Sequence, residues 1–415
     1  MTADPGLSIS LRTARRLAVT KQHLGGSRPT PGSDIVSVVR DLAYVQWDPV
    51  AIVAPSHLLS LWNRVDRFRP SDLERLLWRE KRLFEHWMPI ASIVLTEDYP
   101  LYRSLMRRFP DSLSDSWGVQ REAARAFLAS HVGLRRRLLA ELAKGPRTIG
   151  EIEAPRRSSR DGHGWEPASE VAEMLTYLSM SGDAMVVGHA GNQNVWGLSG
   201  AFLPEWVDRR ALSETVADEV AAQRAIRALG TASPREIHLY FVRGRYRHLP
   251  ETLARLEEKE AIRRVSIEGS VRRETRYIHR DDLPLLPSLE TDDFPPRLSL
   301  LPPFDNMVGH PERTRRIFGF EYVREQFLPP ERRRYGRYVL SILWGDRMVG
   351  RIDPRMDRAR GTLDVGSVHA EPGAPRDREF RDALRGGIER LARFVGAERV
   401  HIGSRVPPAW ASIRR

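Results

Sequence analysis

Cysteine is absent from all 415 residues. That excludes disulfides, thiolate zinc sites, iron–sulfur clusters and cysteine nucleophiles together. Lysine is scarce, at 21, 81, 144 and 259 only, so nearly all the positive charge is arginine. No apolar run approaches the roughly 18 residues that a membrane span needs. Residues 1–10 also lack the basic start and apolar stretch of a secretory leader. The expectation is a cytoplasmic, nucleoid-associated chain with no membrane contact. There is no glycine-rich phosphate loop of Walker type, and no histidine pair at metal-ligand spacing on one helix. The strings Gly366-Ser-Val368 and Gly403-Ser-Arg405 lack the flanks of a nucleophile elbow. Neither a metal nor an organic cofactor is expected.

What is present favours a polyanionic partner. Lysine and arginine number 66 against 54 acidic residues, a net charge of +12. Nucleic acid is the commonest partner for such a balance, although a solvated basic surface explains it equally well. Arginine suits bidentate phosphate contact better than lysine does. Hydrophobic residues make up 41% of the chain, enough for real cores, and the length implies two to four units.

A local grammar recurs along the sequence. It runs helix, turn with a capping signal, second helix, third helix, β-hairpin, which is the winged helix-turn-helix order. In the clearest copy a helical pattern from Arg121 stops at Lys144-Gly145-Pro146, and Thr148-Ile-Gly-Glu151 is a capping box. An apolar face (Val171, Met174, Leu175, Leu178) follows, then a hairpin turning at Gly191-Asn192. The second copy has Ser233-Pro-Arg-Glu236 as its capping box and a long hairpin from Ile262 to Ile278. A weaker copy lies near the N-terminus. From about Leu298 the pattern becomes a β-meander with one long helix, Arg378 to Val395.

The fold class expected is therefore mainly α with β-hairpins: tandem winged helix-turn-helix modules plus a C-terminal α+β domain. The modules are placed at 1–118, 119–205 and 206–283, the last with the basic hairpin, and the C-terminal domain at 298–415. The Pro-rich stretch Pro284 to Pro303 is the expected linker.

Charge and polarity concentrate in two places. Residues 243–280 hold eleven basic and six acidic side chains. Arg243, Arg245, Arg264, Arg272, Arg273 and Arg276 are the candidate DNA contacts, since a hairpin of this kind can ride along phosphates. A solvated edge hairpin whose arginines oppose self-association is the other account. In contrast, Ala168 to Gly182 carries Glu170 and Glu173 and no basic residue, so the central module reads as scaffold. The second place is Tyr44-Val-Gln-Trp-Asp-Pro-Val50, which sets an amide and a carboxylate two apart in an apolar, strand-like run. Strand alternation predicts Gln46 and Asp48 on one side, with Val45 and Trp47 toward the core. Either these polar groups have a chemical task, or Asp48 caps a turn at Pro49 and Gln46 bonds nearby backbone.

Six strings stand in a familiar order: Tyr44 to Val50, Leu83-Phe-Glu-His-Trp87, Leu301-Pro-Pro-Phe-Asp-Asn306, Phe318-Gly-Phe-Glu-Tyr322, Arg334-Tyr-Gly-Arg-Tyr-Val-Leu340 and Val349-Gly-Arg-Ile-Asp353. Together they resemble the AlkZ/YcaQ family of winged-helix DNA glycosylases, in its YcaQ-like Gln-x-Asp branch. The resemblance implies monofunctional excision of bulky or crosslinked N7-alkylpurines from duplex DNA, including interstrand crosslink unhooking, by a monomer. It implies catalysis by Gln46 and Asp48, and His57 and His86 join the candidate DNA contacts. The chain departs from the family pattern at Pro89, where histidine is usual, and at Ala54-Pro-Ser-His-Leu58. An N7-alkylguanine is already cationic and leaves without a general acid. The remaining task is to stabilise an oxocarbenium-like sugar and deliver water. Asp48 is assigned that role and Gln46 the positioning of water. The alternative is a non-catalytic winged-helix DNA-binding regulator.

Overall fold

Reciprocal side-chain caps decide where two short helices begin. The Thr148 N–H donates to Glu151 Oε2 at 2.7 Å and the Glu151 N–H to Thr148 Oγ1 at 3.2 Å, starting the helix Ile149–Arg157. Ser233 and Glu236 repeat the exchange at 3.1 and 3.4 Å. The helix Pro234–Tyr240 follows, with proline where a backbone donor is not needed.

The computed structural model describes residues 7–26, 34–87, 90–114, 118–157, 170–242, 244–269 and 274–414. It is a mixed α/β protein. Two compact units divide the chain: residues 1–69, 225–236 and 257–415 form one, and residues 70–224 and 237–256 the other. Among the described residues, no helix is long and apolar enough to cross a membrane.

In the second unit, strand Arg147–Thr148 joins the hairpin Ala184–Ala190 and Gln193–Leu198, with Gln193–Leu198 in the middle. Helices Val132–Ala143, Ile149–Arg157 and Glu170–Ser181 cover it. Leu138, Leu142, Ile152, Val171, Met174, Leu175, Leu178 and Trp196 form the core between them, the apolar faces that helical spacing predicts. The helix expected to run unbroken from Arg121 is two helices, Gly118–Ser130 and Val132–Ala143. Ser130 Oγ turns back onto the Ala126 and Phe127 carbonyls, and the His131 ring stacks on Phe127 at 4.1 Å. These local bonds compete with continuing the helix. The same unit holds the antiparallel hairpin Leu83–Trp87 and Ala91–Leu95.

Among the described residues, the first unit holds a smaller and a larger sheet. In the smaller, Leu7–Ile9 lies parallel to Ile262–Ile267, which pairs antiparallel with Arg276–His279, and Thr231–Ala232 closes the other edge. The first strand is too short to show alternation in sequence, and was not expected. The larger sheet has the order Leu298–Leu301, Leu340–Trp344, Arg347–Asp357, Thr362–Ala370, Arg399–Arg405. Its last pair is parallel and is joined by the crossover helix Arg378–Phe394, as parallel neighbours require. Asp377 caps that helix through the Phe380 N–H at 2.8 Å. Phe380, Leu384, Ile388 and Leu391 line its buried face. A Cβ at Gly387 would overlap Leu298, so glycine lets the helix lie close on the sheet.

The stretch expected as linker is partly helical. Arg280–Leu285 is a 3-10 helix and Leu286–Glu290 an α-helix whose prolines sit in first-turn or 3-10 positions, and Leu286 and Leu289 are buried. Residues 298–415 share their unit with the N-terminal residues. Val19 and Leu24 pack with Leu301, Phe320, Tyr322 and Leu343. Arg64 grips Asp305 with two bonds, at 2.6 and 2.7 Å, and both side chains are fully buried. Removing one partner of such a pair costs about 3–5 kcal/mol.

Candidate active site

Helix Ile35–Leu42 delivers the polar string to its place. Asp34 caps it by accepting the Ser37 N–H at 2.7 Å, and Ile35, Val36, Val38, Val39 and Leu42 are buried. Ala43, at φ +67°, ends the helix and turns the chain into the strand Val45–Gln46. Strand geometry stops there. Pro49 removes a donor, and Asp48 Oδ1 accepts the Val50 N–H at 3.2 Å, closing a turn. The alternation expected through residue 48 therefore fails after Gln46. Val45 is in the core, Trp47 is half-buried, and Asp48 is more buried than Gln46.

Asp48 is the centre of the arrangement. Its backbone N–H points at His57 Nδ1, 3.4 Å away, and the His57 ring stacks on Trp47 at 4.1 Å. His57 itself sits near the start of the helix Ser56–Trp62 and is buried. Only 6% of Asp48 is exposed. Its Oδ2 is buried and has no hydrogen-bond partner among the described residues. Burial pushes the Asp48 carboxyl above its usual value, and the Val50 N–H offsets only part of that. One oxygen caps a turn; the other is unspent.

The loop around Asp48 is fastened by residues far away in sequence. Asn306 Nδ2 donates to the Tyr44 carbonyl at 3.0 Å, and the Tyr338 hydroxyl to the Ala54 carbonyl at 3.2 Å. The Met356 N–H donates to the Ile52 carbonyl at 3.0 Å, and Arg358 reaches the Ala51 and Val53 carbonyls. Burial and then the Asp48 charge hold the Tyr338 hydroxyl far above its ordinary range, so it stays a donor. Asn306 and Tyr338 stand inside quoted strings, yet nothing in their local sequence assigned them to Asp48. Only the bonds to the loop do so.

The family model for AlkZ-like DNA glycosylases matches residues 39–394. The chain belongs to that family. The fold is similar to that of the Streptomyces sahachiroi DNA glycosylase AlkZ, with a TM-score of 0.66 over 97% of this chain and 100% of that one, at 17% identity. As an AlkZ-like glycosylase the protein is an enzyme whose substrate is DNA. The alternative of a non-catalytic regulator falls away with the family assignment.

The remaining candidates of this AlkZ-like glycosylase separate by burial and partner. Arg243, Arg272, Arg273 and Pro89 lie outside the described residues. Arg264 is exposed on its strand, and Glu257 holds it at 2.7 and 2.9 Å. Arg276 is 4% exposed, bonded to Glu236 and to the Thr231 carbonyl. Burial pushes the Glu236 carboxyl up, and Arg313 and Arg276 more than reverse this, leaving it below its usual value. So placed, Arg276 holds the hairpin to the capping box, and offers no free charge to phosphate. Arg245 is buried in the second unit. Its charge, after desolvation, pushes His86 down to about 3. His86 lies on Leu83–Trp87 against Tyr102 at 5.3 Å and is neutral at pH 7, so it brings DNA no cation.

Sequence reasoning missed one further pair. Glu85, next to His86, is 8% exposed and meets His189 Nε2 of the hairpin at 2.6 Å. Burial raises the Glu85 carboxyl, and His189 pulls the other way. No cluster of three or more metal-ligand side chains occurs among the described residues.

Proposed function

We propose that the protein hydrolyses the N-glycosidic bond of bulky or crosslinked N7-alkylpurines in duplex DNA, as a monofunctional glycosylase using Asp48 and Gln46. The observation that carries this reading is the Asp48 carboxylate: fixed through Oδ1, buried, and unpartnered at Oδ2 among the described residues. A desolvated anion held in place stabilises a developing sugar cation more strongly than one in water. Its raised pKa brings it nearer the operating pH, which favours taking a proton from attacking water. Gln46, two residues earlier and half-buried, has an amide able to orient that water. The leaving base needs no protonation, because N7 alkylation already makes it cationic.

The two capping-box segments, Arg147–Leu198 and Thr231–His279, are read as winged helices that carry duplex DNA. Matching caps, a helix between cap and hairpin, and the hairpin-plus-short-strand sheets support this. Purified protein incubated with duplex DNA bearing N7-methylguanine should leave abasic sites. Release of no modified base, and no strand cleavage by alkali afterwards, would end this reading.

A further inference from the structure

Two of the quoted strings, Arg334 to Leu340 and Val349 to Asp353, have so far only a scaffolding use. The first lines a cavity of about 600 Å³ on the larger sheet, through Arg334 and Tyr335, with His369, Glu371, Arg405 and Pro407; the second backs it through Arg351, which lies over the Tyr335 ring. The loop that carries Arg334 is fixed. Glu325 accepts the Arg334, Tyr335 and Gly336 N–H groups at 3.1, 2.7 and 3.0 Å. Gly336, at φ +150°, leaves no room for a Cβ against Asp353. Arg405 enters from the end of the strand Arg399–Arg405.

Charge in this cavity is unbalanced. Glu371 is paired with Arg351, and Glu325 is turned onto three backbone N–H groups. Arg334 and Arg405 are exposed, and among the described residues neither pairs with a carboxylate. Burial, and then the charges of Arg351, Arg405 and Arg334, press the His369 pKa below the ordinary value, with Glu325 pulling the other way. Tyr335 is not a platform for a base. Its ring already has the Arg351 and Arg334 guanidinium carbons over it at 4.3 and 4.9 Å, with His369 edge-on at 5.1 Å.

The geometry points to a phosphate site in this cavity, with Arg334 and Arg405 gripping the oxyanion and Tyr335, backed by Arg351, in its lining. Two exposed guanidinium groups without a carboxylate partner, on fixed backbone, suit bidentate contact with a tetrahedral oxyanion. A backbone phosphate of DNA and a soluble phosphate ester present the same chemistry. The site stands whether or not Asp48 is catalytic.

The test uses the full chain and two probes, inorganic phosphate followed by calorimetry and an undamaged duplex followed by anisotropy across a salt series. Arg334→Ala/Arg405→Ala should bind inorganic phosphate at least about tenfold more weakly than wild type. If DNA supplies the phosphate, the slope of log K against log salt should also shrink, by about 0.9 for each lost contact. A loss confined to the inorganic phosphate arm assigns the site to a soluble phosphate ester. A shift confined to the slope assigns it to DNA. A double variant that matches wild type in both arms overturns the site. Should the double variant melt early, Arg334→Gln and Arg405→Gln singly replace it. Asp48→Asn, measured beside them, should bind both probes like wild type even where excision is lost, which separates this site from the catalytic reading.

Discussion

Asp48 in the first unit and Glu85 in the second are near-twins with different surroundings. Both carboxylates sit in or just after a short strand, both are almost wholly buried, and burial pushes both up. Glu85 is answered by His189 at 2.6 Å. Asp48 spends one oxygen on its own turn and leaves the other unanswered. An unsatisfied buried acceptor costs about 1–3 kcal/mol; Glu236 and Asp282 also leave one oxygen so, but they bind Arg276 and Lys21, whereas Asp48 Oδ1 holds only its own turn. The paired carboxylate looks after structure, and the unpaired one is where chemistry is to be sought.

The strongest way to break this comparison is Asp48→Asn. Asn keeps the Oδ1 acceptor of the turn and removes the charge. Single-turnover excision of an N7-alkylguanine should fall by on the order of 10²–10⁴. Melting temperature at pH 7 should hold or rise, because at that pH the unfolded carboxylate is ionised in water while the folded one is ionised and desolvated. The folded pKa is raised, so this penalty is present at neutral pH and fades as pH falls through that value. An Asp48→Asn protein that melts lower yet excises normally would make Asp48 a cap and nothing more.

The acid side of the pH–rate profile sharpens the same point. Excision by wild type should decline with falling pH through an apparent pKa above the ordinary range of an aspartate. The residual rate of Asp48→Asn should show no such limb. Gln46→Ala comes next in size, with a loss of roughly tenfold, since water can partly replace an orienting amide. A larger loss than that of Asp48→Asn would reverse the two assignments.

On the paired side, His189→Ala strands Glu85 without its partner. The expected cost is about 1–3 kcal/mol, read as a lower melting temperature of roughly 2–4 °C per kcal/mol. Excision per folded molecule should change little. A rate collapse at unchanged stability would move Glu85 into the catalytic class. The smallest effect belongs to Arg264→Ala, which should reduce the salt slope of DNA binding by about 0.9 or less. Its Glu257 pairing already competes for the guanidinium, and an unchanged slope would take it off the interface.

Local signals carried the two capping boxes, the hairpin turn at Gly191 and the buried face of Arg378–Phe394. Each depends on residues three or four apart, or on a single backbone conformation. The order of six strings carried the family. The singular character of Tyr44 to Val50 was visible too, but not which account of Asp48 applies. Local sequence held the turn bond to Val50; the loneliness of Oδ2 depends on everything packed around it. That surrounding comes from Asn306, Tyr338, Met356 and Arg358, some 250 to 310 residues away. The hairpin arginines teach the same lesson. Sequence counted them as equal cations, whereas burial against Glu236 turns Arg276 into a structural tie and Arg264 keeps its exposure. Period and capping are set by neighbours along the chain. Desolvation and ion pairing are set by neighbours in space, and only the tertiary fold brings those together.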